Sequence, residues 1–166
     1  MKTYFVKPNE KVNLSFLKEN NYEGVYICAS KGRVEDTCFD DNMELLKDSG
    51  LKVGFYHRFM APDCKKNWTL ESCKEGRAFG AAVRGYASDL KLAMDWEPCF
   101  FDVEDCEDSQ ITTTFYNALN GFVQKLDLYM DTPISKSGEL LIRATEKQVE
   151  YLKLRKVHSK YEYMVK

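Results

Sequence analysis

Short apolar runs alternate along this chain with longer stretches in which apolar residues recur every three or four positions. The runs have the composition of buried strands, and the longer stretches have the period of helices that pack on a sheet. We predict strands over residues 3–6, 24–28, 53–57, 99–104, 128–134 and 161–165. We predict helices over residues 14–20, 40–47, 69–86, 111–126 and 139–154.

Alternation of strands and helices predicts an α/β fold with parallel strands and right-handed crossovers. A chain of 166 residues without a repeat or a linker fits one domain, residues 1–166. Six strands fit either an open sheet or most of a barrel. In both arrangements, functional groups belong at the carboxyl ends of the strands.

Composition excludes several classes of function. The net charge of −2 gives no general attraction to nucleic acid, and no apolar run is long enough for membrane insertion. The amino terminus lacks the apolar core of a signal peptide, so we expect synthesis in the cytoplasm. None of the six cysteines forms a CxxC pair, and His57 lies far from His158, so we predict no metal site and no cofactor.

The strongest candidate for chemistry is the acid pair Asp102 and Glu104, which follows an apolar run. On a strand these two side chains would project to the same face. Burial and mutual repulsion disfavour ionisation of both, which is how a fold keeps one carboxyl protonated as a general acid. The alternative is an acidic strand end that runs into a solvated loop.

A second acid pair, Asp95 and Glu97, precedes the first by seven residues. We prefer Asp102 and Glu104 because two phenylalanines lead into them, whereas Pro98 follows Glu97 at once. Asp95 and Glu97 are therefore predicted to lie in a solvated loop at the rim of the site. Trp96 between them is either a stacking surface for a sugar or ordinary packing.

Three segments resemble the glycoside hydrolase family 25 lysozymes, which are N-acetylmuramidases. Residues 25–32, VYICASKG, are similar to the family's second strand, VIIRASEG. Residues 49–59, SGLKVGFYHRF, resemble its AGL.VG.YHF segment, and residues 101–105, FDVED, resemble its LDVE strand. The resemblance implies a TIM-like β/α barrel and the cleavage of peptidoglycan glycan.

By this resemblance Glu104 matches the general acid and Asp102 the assisting acid. Tyr56 and His57 match the groove wall on the third strand. Tyr4 stands where the family's first strand carries an aspartate, and a phenol does not supply that negative charge at neutral pH.

The chain has about six of the barrel's eight strands, so the predicted barrel is incomplete. An open sheet edge predicts a homo-oligomer or an assembly partner. Two functions follow. One is a muramidase, phage-associated or released to the cell wall; the other is a catalytically degenerate scaffold that serves as a structural or glycan-binding part of a larger assembly such as a phage particle.

Overall fold

The computed structural model describes residues 1–60, 68–97, 108–153 and 161–166. The strands are β1 (Thr3–Phe5), β2 (Gly24–Lys31), β3 (Val34–Glu35), β4 (Lys52–Phe59), β5 (Leu92–Trp96), β6 (Leu140–Ala144) and β7 (Glu162–Val165). The helices are α1 (Leu14–Glu19), α2 (Phe39–Leu46), α3 (Trp68–Val83), α4 (Asp108–Leu126), α5 (Ile134–Ser137) and α6 (Glu146–Lys153). A 3₁₀ turn, Asp127–Tyr129, follows α4.

Six of the strands are parallel and form one curled sheet in the order β1-β2-β4-β5-β6-β7. Each new strand adds beside the previous one, as in a β/α barrel, and the sheet makes an incomplete barrel. The short strand β3 pairs with β2 in the antiparallel direction. The predicted fold class is therefore confirmed. Within the described residues, β1 and β7 each pair with one neighbour.

The strand beside β4 differs from the predicted one. Residues 99–104, the predicted fourth strand, lie outside the described residues, whereas β5 spans Leu92–Trp96, a segment that we did not assign to a strand. The assignment of Asp95 to a solvated loop is wrong, because the side chain is buried on the sheet. Ion pairs from neighbouring strands compensate its charge, which no local pattern reveals.

Two further predictions near the carboxyl terminus are wrong. Residues 128–134 do not form a strand: Asp127 instead accepts hydrogen bonds from the backbone N–H groups of Ile134 and Ser135, which starts α5. The predicted helix over 139–154 is split, because its first part is β6 and only its second part is α6. β6 carries a continuous apolar run that is buried on both faces, which suits a central parallel strand.

The sheet has a helix-side face and an inner face. The helix-side face carries the main core, where alternate residues of β2 and β4 pack beneath the helices. The predicted stripe on α4 is confirmed where side chains are described, since Leu119, Phe122 and Leu126 are buried in this core. The inner face is the concave side and carries a smaller cluster, Tyr26, Cys28, Tyr56, Ala93 and Leu141.

The helices α3 and α4 pack closely on the helix-side face. A Cβ atom on Gly76 of α3 would lie 2.2 Å from the carbonyl oxygen of Phe122 on α4. Glycine at this position therefore allows the two backbones to approach each other. None of the described helices is both long enough and apolar enough to span a membrane.

Candidate active site

A row of charged side chains crosses the inner face at the carboxyl ends of the strands. Arg58 on β4 is paired in register with Asp95 on β5, and Asp95 is paired with Arg143 on β6. Residues in register across parallel strands project to the same face, so the three side chains meet. Lys166, directly after β7, completes the row.

Asp95 is the centre of this charged cluster and is only 2% exposed. One of its carboxylate oxygens accepts hydrogen bonds from Arg143 at 3.2 Å and from Lys166 at 3.0 Å. The other oxygen accepts from Arg58. A buried carboxylate requires compensation by partners of opposite charge, and Asp95 has three cationic partners.

Glu97 lies just beyond the end of β5, and its side chain is 23% exposed. Its backbone N–H donates to the carbonyl of Phe59 at 3.0 Å, which continues the β4–β5 ladder. Its carboxylate accepts from Arg58 Nε at 3.0 Å and from Arg58 Nη2 at 2.8 Å. Arg58 therefore links the two acids, and Glu97 is the one that solvent or a ligand can reach.

The charged cluster shifts the pKa values of its cations. Burial lowers the pKa of Lys166 below its ordinary value, and the nearby Arg58 and Arg143 act in the same direction while Asp95 opposes them. Burial also acts to lower the pKa of Arg58, but Asp95 and Glu97 outweigh it and raise that pKa. The two acids therefore stabilise the charged form of Arg58, whereas burial and the neighbouring arginines disfavour the charged form of Lys166.

Aromatic residues form the floor beneath the charged cluster. Phe5 stacks on Tyr26 at 4.5 Å between ring centroids, and the Arg143 guanidinium lies 4.6 Å above the Phe5 ring. Tyr56 is buried on the same face and donates its hydroxyl hydrogen bond to the Val6 carbonyl at 2.6 Å. Tyr56 therefore belongs to the floor of the site, where its hydroxyl is already occupied.

Phe5, and not Tyr4, is the residue of β1 that faces this cluster. Tyr4 lies on the helix-side face and packs edge-on against Phe16 and Tyr22. The resemblance predicts Tyr4 as a site residue, but its side chain projects to the face opposite the charged cluster, because neighbouring residues of a strand alternate between the two faces. The position on the inner face holds a phenyl ring.

His57 also lies on the helix-side face and not in a groove wall. Its ring is fully buried, with Nδ1 2.8 Å from the Ser30 hydroxyl and Nε2 3.0 Å from Glu75 on α3. The Glu75 carboxylate also accepts from the Met60 N–H at 2.9 Å. This closed network ties the carboxyl ends of β2 and β4 to a helix.

Trp96 is fully buried on the helix-side face and packs on Phe59 with ring centroids 4.9 Å apart. It therefore offers no open ring face to a sugar, and the packing alternative is the one observed. Asp102 and Glu104 lie outside the described residues.

Sequence reasoning missed the three cations of the cluster, Arg58, Arg143 and Lys166. For Arg58 a signal was present, since two-residue alternation along β4 places it on the same face as Tyr56. Among the described residues, no group of histidine, cysteine and acidic side chains is arranged to hold a metal ion.

Comparison with known proteins connects this geometry with one family. No protein-family model matches the chain. An autolytic lysozyme of Clostridium acetobutylicum is 33% identical over 87 residues, which is 52% of this chain and 24% of that protein. The chain thus spans about a quarter of the length of this curated relative.

Solved structures extend the likeness over most of the chain. The bacterial lysozyme of Streptomyces coelicolor superposes with a TM-score of 0.66 at 17% identity, over 95% of this chain and 69% of that one. A family 25 glycosyl hydrolase of Bacillus anthracis gives 0.65 at 17% identity, over 95% and 65%. The CTP1L endolysin gives 0.64 at 17% identity, over 99% and 52%.

The class of fold is therefore the β/α barrel of the bacterial lysozymes, with six parallel strands among the described residues. Within that class, the comparisons confirm the predicted resemblance to the glycoside hydrolase family 25 lysozymes, whose fold this chain has.

Proposed function

We propose that this chain is a lysozyme-type glycoside hydrolase that acts on peptidoglycan glycan, with Glu97 as general acid and Asp95 as the assisting carboxylate. The position of β5 carries this proposal. It is the parallel strand beside β4, which holds the YHF-like motif, and the acid pair Asp95 and Glu97 lies at its carboxyl end. In this proposal, residues 94–97 and not residues 101–105 correspond to the family's LDVE strand.

The two acids suit different roles because their exposure differs. A general acid has to reach the leaving oxygen of the glycosidic bond, and Glu97 is the accessible member of the pair. Asp95 is buried and accepts a hydrogen bond from Arg58, and Arg58 also donates a hydrogen bond to Glu97. Asp95 is therefore a positioning residue. Proton donation by Glu97 requires its carboxylate to leave Arg58 and to take up a proton from solvent when the glycan binds.

The test is the release of soluble muropeptides from purified cell walls by the full chain and its variants. We expect Glu97→Gln to lower the rate by about a hundredfold or more, the usual contribution of a general acid. Glu44→Gln, at an exposed acid on α2, is the matched control and should retain the wild-type rate.

A second pair of variants separates the two acid pairs. If Glu104→Gln abolishes the release while Glu97→Gln does not, then Asp102 and Glu104 are the catalytic pair and our proposal is wrong. Asp95→Asn and Asp102→Asn provide the same comparison for the assisting acid.

The neutralised state of the acid pair favours a second candidate, a glycan-binding scaffold without hydrolysis. Three cations bind both oxygens of Asp95 and one oxygen of Glu97. Among the described residues, β1 and β7 each pair with one strand only, which leaves two sheet edges for another protein chain. The likeness to an endolysin supports a phage-associated setting for either function. Retention on insoluble cell walls without any release of muropeptides, together with a stable oligomer in sedimentation, would favour this candidate.

A further inference from the structure

The backbone of Glu97 is bound from two sides at the point where the chain leaves β5. Its N–H donates to the Phe59 carbonyl on β4 at 3.0 Å. Its carbonyl accepts a hydrogen bond from the side-chain amide of Gln148 on α6, also at 3.0 Å. Gln148 is only 6% exposed, so water competes little for this bond. The proposed general acid is therefore tied to a helix 51 residues further along the chain.

The side chain of Gln148 is itself fixed by the start of α6. The Thr145 N–H donates to Gln148 Oε1 at 3.0 Å, and the Gln148 N–H donates to the Thr145 hydroxyl at 3.3 Å. This reciprocal pair is a capping box, in which serine or threonine is followed three residues later by glutamate or glutamine. The box uses the side-chain oxygen and leaves the N–H donors of the amide for other partners. One of these donors binds the Glu97 carbonyl.

The capping box alone does not require glutamine at position 148. Glutamate completes the same box, because both residue types have the side-chain oxygen that it uses. Only glutamine also has N–H donors, and a carboxylate in its place would face the Glu97 carbonyl without a proton to share. The residue type at position 148 therefore suits the contact with Glu97 as well as the start of the helix.

This contact matters at the protonation step of the proposed reaction. Once the Glu97 carboxylate has left Arg58 and taken up a proton, its backbone contacts limit where the carboxyl group can lie. A general acid has to be within hydrogen-bond distance of the leaving oxygen. A displacement of about 1 Å can lower a rate by up to about a hundredfold. An anchor on the Glu97 backbone therefore affects the rate of proton donation.

We propose that Gln148 positions the general acid, because its side-chain amide holds the Glu97 carbonyl and thereby keeps the carboxyl group in reach of the leaving oxygen. This inference rests on the proposed function for the role of Glu97 as the acid. Gln148 acts through Glu97 and is a positioning residue. Its removal should therefore slow only reactions in which the leaving group needs a proton.

The test compares two substrates that differ in this need. One is soluble, uncrosslinked peptidoglycan, and the other is the 2,4-dinitrophenyl glycoside of the muramyl disaccharide, whose leaving group departs without protonation. Gln148→Glu keeps the capping box and loses the donor, whereas Gln148→Met loses both without adding a charge. We expect each variant to lower kcat on peptidoglycan about tenfold, with KM and the dinitrophenyl rate within about twofold of the wild type.

A control variant accounts for a general loss of stability. Asn13→Ala removes the cap of α1, which lies outside the site, and should retain the wild-type rates on both substrates. Equal losses on the two substrates in the Gln148 variants, or no loss on peptidoglycan, would overturn the inference. If neither variant folds, the wild-type chain decides, since the side-chain N–H protons of Gln148 should exchange with solvent at least about tenfold more slowly than those of a free amide. Exchange at the free rate would overturn the inference.

The outcomes also separate this inference from the proposed function. If Glu97→Gln abolishes hydrolysis and the Gln148 variants do not slow it, the proposed function stands and the inference fails. If Glu104→Gln alone abolishes hydrolysis, the proposed function fails. Hydrogen exchange at the Glu97 N–H then tests the anchor by itself, because faster exchange in Gln148→Met than in the wild type would show that Gln148 still fixes this residue.

Discussion

His57 and Arg58 are neighbours on β4, yet the two faces on which they lie handle charge in different ways. On the helix-side face, His57 belongs to a closed network in which Ser30 and Glu75 occupy both ring nitrogens and no group is accessible. On the inner face, Arg58 belongs to a cluster of ion pairs with Asp95 and Glu97 that is partly open to solvent. The comparison indicates that a closed polar network stabilises the fold, whereas a cluster that is partly open to solvent is available to a ligand.

The largest effect is expected from removing the charge at the centre of the open cluster. Asp95→Asn keeps the shape of the side chain but leaves Arg58, Arg143 and Lys166 without their shared counter-charge. Breaking a buried ion pair in this way costs about 3–5 kcal/mol of the free energy of unfolding. Urea denaturation measures the change. Glu97→Gln is the control, because its pair with Arg58 is partly exposed and should cost less than the buried pair, about 1–2 kcal/mol.

A loss below about 1 kcal/mol for Asp95→Asn would show that water already compensates these charges. The inner face would then be more open than its exposure indicates, and the contrast with the helix-side face would disappear.

A smaller effect is expected from the closed network. His57→Phe leaves the buried Glu75 carboxylate with one of its two described hydrogen bonds, that from the Met60 N–H. We expect a loss of about 2–3 kcal/mol in the free energy of unfolding, because a buried charged acceptor is left unsatisfied. Glu75→Gln keeps an acceptor for both donors and should cost less.

The distinguishing measurement for His57→Phe is glycan binding. If the two faces act independently, the folded variant binds chitotetraose with wild-type affinity. A folded variant that binds glycan tenfold more weakly would return His57 to the predicted groove wall and remove the distinction between the faces.

The sequence predicted strands correctly where a strand is buried along almost its whole length. The strands β2 and β4 are buried along almost their whole length, so a continuous apolar run was sufficient to find them. The start of α1 was equally local: the predicted helix over residues 14–20 begins directly after Asn13, whose side chain accepts a hydrogen bond from the Phe16 N–H.

The charged cluster could not be found in the same way because its partners are distant in sequence. Asp95 is buried only because Arg58 and Arg143 reach it from positions 37 and 48 residues away. Without those partners, an aspartate before Trp96 and Glu97 reads as a solvated loop. The prediction of Tyr4 as a site residue rested on the resemblance alone, and a shift of one residue in such an alignment exchanges the two faces of a strand.

The smallest effect concerns a tyrosine on each face. Burial, followed by the nearby Glu162, raises the pKa of Tyr26 on the inner face to about 12, and burial, followed by Asp127, raises that of Tyr161 on the helix-side face to about 12. An unfolded chain ionises its tyrosines near pH 10. The folded state therefore keeps protons that the unfolded state loses, so stability is full below about pH 10 and falls as the pH rises toward 12. Ultraviolet titration of tyrosinate should show a late component that Tyr26→Phe and Tyr161→Phe each reduce. If only Tyr161→Phe reduces it, water reaches Tyr26 beneath the charged cluster, and the floor of the inner face is open to a ligand as well as its rim.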